Sequence, residues 1–104
     1  MDKNYINKYL TELMSIIPNK DTKVSSKRKD MEILRAAIIA EYDAINLYEQ
    51  MSEAAVDKDV KQVLLNVANE EKEHIGEFEY LLEKLDIEHE PHEDKGEEEV
   101  KKEL

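Results

Sequence analysis

The sequence predicts an all-α fold: an antiparallel two-helix hairpin with a short N-terminal helix, dimerising into a four-helix bundle. Three observations predict it. The 104 residues include only two glycines and two prolines, against abundant Glu, Lys, Leu and Ala, a composition of helix formers with few breakers. Two stretches, residues 31–48 and 60–85, repeat apolar residues at helical spacing. The break between them is short, so the second helix must return antiparallel along the first.

The first element is residues 4–17, NYINKYLTELMSII, which place Tyr5, Ile6, Tyr9, Leu10, Leu13, Met14 and Ile17 on one face. The pattern predicts a short amphipathic helix stopped by Pro18, too short to stand alone and so in need of a docking surface. Residues 18–29 are polar and basic and read as a linker, so residues 1–29 form an N-terminal helix-and-linker unit.

The hairpin is expected over residues 30–86. Its first helix is predicted to start near Asp30, a plausible N-cap, and to run to about Ala55. Its seam is Met31, Leu34, Ile38, Glu41, Ile45 and Tyr48, and a flanking row holds Ile33, Ala37, Ala40, Ala44, Leu47 and Met51. The three alanines of that row let another helix approach closely. Ile39 and Tyr42 fall on a third face, which suggests that this helix buries more than one side.

Val56 and Asp57 mark the turn, with Asp57 as N-cap of a helix over residues 58–85. Its seam runs Val60, Leu64, Val67, Glu71, His74, Phe78, Leu81 and Leu85 in unbroken steps of four and three. Glu71 and His74 therefore hold its two central positions. Gly76 costs about 1 kcal/mol against alanine in a helix interior, which suggests either a close neighbour there or nothing more than tolerance. Residues 87–104 close the chain as an acidic tail, with nine acidic and three basic side chains from Asp86 onward, and such charge density predicts disorder.

Composition bounds the function. A chain of this length is one small domain. The net charge of −11 provides no basic face for phosphates, so no nucleic acid is expected. The absence of cysteine removes disulfides, thiolate-held zinc or iron–sulfur sites and a thiol nucleophile. Asn7, Lys8, Thr11 and Glu12 interrupt the N-terminal apolar run, so no signal peptide is evident, and no run is long enough to span a membrane. A cytoplasmic location is the default expectation.

The chemistry lies where the seams turn polar. Glu41 alone interrupts the first seam, and the Glu-x-x-His pair Glu71 and His74 interrupts the second. Residues three apart on a helix can aim both side chains at one ion. A carboxylate in an apolar stripe is costly unless a cation neutralises it. With the turn centred on residue 56, Glu41 lies fifteen residues before it and Glu71 fifteen after. Both carboxylates then stand about 22 Å up the hairpin, in one layer. Two helices cannot enclose a core, and a two-fold dimer would bring together two copies each of Glu41, Glu71 and His74. Four carboxylates and two imidazoles equal the di-iron carboxylate set. That ligation suits iron or manganese, with zinc or copper as substitutes.

The stretches LRAAIIAEYDAINLYEQM, residues 34–51, and VLLNVANEEKEHIGEFEYLL, residues 63–82, resemble the encapsulated-ferritin (demi-ferritin) family of the ferritin-like superfamily. The resemblance implies a ferritin-like bundle in which each two-helix protomer carries half of a ferroxidase centre. It implies completion of the site across a homodimer, a ring of dimers, and residence inside an encapsulin shell. It carries Glu41, Glu71 and His74 over as metal ligands, with Glu71 bridging. The family also has an outer acidic site beside the first glutamate; here Ala40 and Asp43 flank Glu41. Its cargo members usually end in a short, apolar-containing targeting tail, which EEEVKKEL does not resemble.

The expected function is therefore a ferroxidase that oxidises Fe(II) to Fe(III) at a di-iron site formed by Glu41, Glu71 and His74, in iron storage or detoxification. Rubrerythrin-like peroxide reduction is the near alternative; without a CxxC pair there is no rubredoxin-type relay, which favours the ferroxidase. A metal buffer without turnover is a third reading. A rival from another class is a non-catalytic dimerisation hairpin whose polar layer fixes register, although register layers usually use Asn or Lys. Tyr48 reads as core, Glu70, Glu73, Glu77 and Glu79 as a solvated face, and Met14, Met31 and Met51 as packing. His89 and His92, three apart among acids, read as a weak metal pair at most.

Overall fold

The computed structural model describes residues 26–104, so the expected helix over 4–17 lies outside the described residues. Three helices follow one another: α1, Ser26–Ala54; α2, Lys58–Leu85; and α3, His89–Glu103. The described residues are all-α, with α1 and α2 packed as an antiparallel hairpin.

Residues 55–57 form the turn, and local chemistry fixes it. The Asp57 carboxylate accepts from the backbone N–H of Asp59 at 2.8 Å and of Val60 at 3.0 Å, which satisfies two of the donors a helix start leaves free. Across the turn, the Ser52 hydroxyl donates to the Lys61 carbonyl at 2.9 Å, while Lys61 Nζ donates to the carbonyls of Ser52 and Glu53. At the open end of the hairpin Arg35 pairs with Asp86 at 3.0 Å, 51 residues away.

The contact between the two helices uses small residues. Ala36, Ala40, Ala44, Tyr48 and Ser52 are buried at intervals of four along α1, opposite Ala68, Ile75 and Leu82 at intervals of seven along α2. Tyr48, Ala44 and Ala68 form the core cluster, with Met51, Leu64 and Val67 packed against it. Of the bulkier seams, Ile45 and Tyr48 are buried, while much of the remainder runs beside this contact. Val60 and Leu81 are about half exposed, and Leu34, Ile38, Leu64, Val67 and Phe78 are only partly buried. The stripe carrying Glu41, Glu71 and His74 is thus an open flank of the single chain.

Two expectations need correction. α1 begins at Ser26 rather than near Asp30, so residues 26–29 are helix and not linker. Lys and Arg propagate helix well, and Arg28 meets Glu32 one turn on at 3.6 Å. The acidic tail is the helix α3 and not disordered. Glu97 and Lys101 pair at 3.0 Å, His89 pairs with Glu93, and the basic side chains of its last turn, Lys101 and Lys102, suit the helix dipole. Pro91 falls in the first turn of α3, where a missing N–H costs no intrahelical bond. α3 buries no residue. The third face is left open among the described residues, Ile39 and Tyr42 being 52% and 54% exposed. Among the described residues nothing lies within 4 Å of a Cβ built at Gly76, so none of them requires the glycine, and within one protomer it is simply tolerated.

Candidate metal centre

Glu41 comes from the middle of α1, and Glu71 and His74 from adjacent turns of α2. Because the turn is tight and both helices are straight enough to keep the Ala40–Ala44 row against Ala68 and Ile75, equal distances from the turn become equal heights. The structure brings all three predicted residues together. One ligand atom from each lies within 4.8 Å of the others. His74 Nδ1 is 3.2 Å from Glu71 Oε2 and 3.7 Å from Glu41 Oε2.

Exposure describes the shape of this site. The side chains of Glu41 and Glu71 are 18% and 14% exposed, while His74 is 46% exposed. The carboxylates are therefore held between the helices and the imidazole forms the outer edge. Glu41 Oε2 is buried and has no hydrogen-bond partner. A buried carboxylate oxygen in that state costs on the order of 1–3 kcal/mol or more. Two carboxylates beside one imidazole form an oxygen-rich donor set suited to iron or manganese, and a cation would satisfy the orphaned oxygen. Three ligands leave coordination positions open on the flank. The donor chemistry, the orphan and the open flank all fit a metal shared with a second set of ligands.

The other candidates do not join the trio. Ala40 is buried in the contact with α2 and offers no ligand, while Asp43 is exposed. Tyr48 is core, packed with Ala44 and Ala68. Glu70, Glu73, Glu77 and Glu79 are exposed, as the solvated-face reading expected. His89 pairs with Glu93 on α3, and among the described residues no second group of three possible ligands forms. One acidic group escaped the sequence reading. Glu32 Oε2 is also buried without a hydrogen-bond partner, although the other oxygen meets Arg28 at 3.6 Å. A glutamate off the apolar seam gives no signal in sequence that would have marked it.

The sequence model of the Rubrerythrin family matches residues 32–104. The chain belongs to the rubrerythrin family of ferritin-like proteins. The encapsulated ferritin domain from Pyrococcus furiosus, a crystal structure, superposes with a TM-score of 0.73 at 50% identity, covering 84% of this chain and 89% of that one. A "ferritin-like-encapsulin shell fusion protein" of the same organism is 56% identical over 79 residues, 73% of this chain and 23% of the fusion. An "encapsulin nanocompartment cargo protein" of Myxococcus xanthus is 38% identical over 78 residues, 75% of this chain and 57% of that protein. The chain thus spans about a quarter and somewhat over half of these two relatives. Within its family it is an encapsulated-ferritin type of domain. Rubrerythrin and ferritin-like domains typically bind a di-iron centre, and this chain has the carboxylate–imidazole group for one. Among the described residues no helix is long and apolar enough to cross a membrane.

Proposed function

We propose that this protein is a ferroxidase: it binds Fe(II) as substrate between two copies of the chain, oxidises it, and releases Fe(III) for storage or detoxification. The observation that carries the reading is the buried, unpartnered Glu41 Oε2, 3.7 Å from His74 Nδ1, inside a three-ligand group on an open flank. One protomer supplies two carboxylates and one imidazole. A second protomer related by a two-fold axis doubles the set and covers the exposed seam.

Each residue then has a distinct task. On this reading Glu71, the less exposed carboxylate, would bridge the two ions, Glu41 would hold one terminally, and His74 would complete its coordination from the outer edge. The four carboxylates of a dimer balance the four positive charges of two Fe(II) ions, which favours loading. Each Fe(II) gives up one electron to an oxidant of the O₂ or peroxide class. Manganese and zinc, having similar preferences for these donors, are expected to bind as substitutes.

The relatives named for encapsulin shells support a second part of the reading: the protein works inside an encapsulin compartment in the cytoplasm. The half-set of ligands in one chain is the reason for reading it as a homodimer, built further into a ring. Peroxide reduction is favoured by the rubrerythrin match, but with no cysteine the chain has no thiolate-held electron relay of its own. Anomalous scattering at the iron edge, from crystals grown with Fe(II), tests the site. Two iron peaks between the Glu71 carboxylates of paired chains are expected; iron elsewhere, or none, contradicts the proposal.

A further inference from the structure

We propose that the start of α3 carries a second, separate metal site, in which His89, His92 and Glu93 hold a divalent ion of the zinc, copper and nickel class. The structure pairs two of the three. His89 Nε2 meets Glu93 Oε1 one turn further along the helix, so an imidazole nitrogen and a carboxylate oxygen already converge on one point. His92 lies three residues after His89 and next to Glu93, on the same face. Its ring does not join the pair in the structure, but its side chain is exposed and turns about its own bonds without displacing a neighbour. Cβ atoms three or four residues apart on a helix are about 5–6 Å apart. Zinc holds imidazole nitrogen and carboxylate oxygen at about 2.0–2.2 Å, so rotation of His92 alone completes the set.

Two features separate this group from an ordinary surface ion pair. The first is its donor set. Two imidazoles and one carboxylate make the three-ligand set of many zinc sites, with a further position open to water. Nitrogen-rich ligation suits zinc, copper and nickel, whereas the two carboxylates and one imidazole of Glu41, Glu71 and His74 suit iron and manganese. The chain would therefore carry two sites of different preference. The second feature is local need. α3 buries no residue, and Glu88 at its N-cap makes no side-chain capping bond, so packing within the chain does not hold the first turn. Ligands on adjacent turns of one face clamp that turn when an ion binds them. The positive end of the α3 dipole works against a cation here, and the exposed carboxylates of Glu88, Glu90 and Asp94 offset it. The inference uses none of the central trio and does not rest on the ferroxidase reading.

Zinc titration of the full, untagged chain tests it. By calorimetry, the wild type is expected to take up one more Zn(II) per chain than His89→Ala/His92→Ala, and Glu71→Ala is expected to retain that extra ion. His89→Ala alone should weaken the uptake by about tenfold or more, since even the outer partners of metal ligands are worth that much. Initial rates of Fe(II) oxidation should be the same in wild type and His89→Ala/His92→Ala. A readout that needs no variant comes from ¹⁵N NMR of the imidazoles in the wild type, where Zn(II) is expected to shift ring nitrogens of both His89 and His92. Equal zinc uptake by wild type and the double variant, loss of the extra ion in Glu71→Ala, or zinc bound with either ring unmoved overturns the proposal.

Discussion

Glu41 Oε2 and His74 Nδ1 lie 3.7 Å apart across the hairpin, one on α1 and one on α2, and the carboxylate oxygen is buried without a hydrogen-bond partner. That distance exceeds a hydrogen bond and suits two ligands facing a common centre. The same imidazole nitrogen is 3.2 Å from Glu71, so His74 stands against both carboxylates. This arrangement ties the site to the hairpin's own register: a slip of one helix past the other by one turn would separate Glu41 from Glu71 by about 5 Å.

Replacement of the ligands is expected to be non-additive. Glu41→Ala, Glu71→Ala and His74→Ala should each lower the initial rate of Fe(II) oxidation by at least tenfold, with Glu71→Ala the most severe. Because all three serve one centre, the double and triple variants should be scarcely slower than the worst single one. Stopped-flow absorbance of Fe(III) formation reads this directly. Rates that fall multiplicatively with each substitution would mean the three residues act independently.

Metal should drive association of the protomers. An exposed seam and three-ligand half-sites both favour the state that completes them, and a ligand bound only by the assembled form stabilises it by mass action. Multi-angle light scattering is expected to show dimers or larger assemblies, with the proportion rising on addition of Fe(II) or Mn(II) under anaerobic conditions. A folded monomer indifferent to metal contradicts the shared site.

Gly76 offers a test of what lies outside one chain. Among the described residues nothing stands within 4 Å of an added Cβ, so Gly76→Ala should gain about 1 kcal/mol of helix propensity. For a domain of this size that corresponds to a melting temperature higher by about 4–8 °C. If a neighbouring protomer packs against this glycine, the same variant will instead assemble less well. Melting curves and light scattering on one preparation separate the two outcomes.

The turn is a further place where the local chemistry can be measured. Asp57→Ala removes the acceptor for two backbone donors and should cost about 1 kcal/mol. Asp57→Ser or Asp57→Asn should recover most of it, as both cap well. Chemical denaturation of the three variants checks the order, and equal stability of all three would show that the Ser52–Lys61 contacts alone hold the turn.

Much of this was legible in the sequence because it depended on local or repeating features. The cap at Asp57 and the helix over residues 58–85 were written in side-chain type and period. The meeting of Glu41 with Glu71 followed from counting outward from the turn. What period alone did not reveal was which stripe faces the sister helix. Each helix carries two adjacent apolar rows, and their spacing is the same. The alanines decide it, since Ala36, Ala40 and Ala44 allow close approach and leave Leu34, Ile38 and Glu41 on the outer flank, with only Ile45 and Tyr48 of that seam buried. The length of α1 and the existence of α3 were missed for another reason. Runs such as Lys27-Arg28-Lys29 and Glu97-Glu98-Glu99 read as solvated chain, yet both residue types propagate helix and pair one turn apart.

The most decisive prediction separates a metal centre from a costly polar layer. Glu71→Leu removes a half-buried carboxylate from an apolar stripe, so by either reading it should stabilise the metal-free protein, because an uncompensated carboxylate next to Glu41 is unfavourable there. The readings part when metal is added. If Glu41, Glu71 and His74 hold ions, Fe(II) or Mn(II) should raise the melting temperature of the wild type, since binding to the folded state alone adds RT ln(1 + [L]/Kd) to its stability. At a metal concentration 100-fold above Kd that is about 2.7 kcal/mol, a shift of roughly 10 °C or more for a domain this small. Glu71→Leu should forfeit most of that shift, having lost the bridging carboxylate. The variant would thus be the more stable protein without metal and the less responsive one with it. If instead the layer serves only to set register, metal-induced shifts in the two proteins will be equal, whichever is the more stable, and the di-iron reading falls. Thermal melts of both proteins, each with and without Mn(II) so that oxidation does not intervene, give the four curves required.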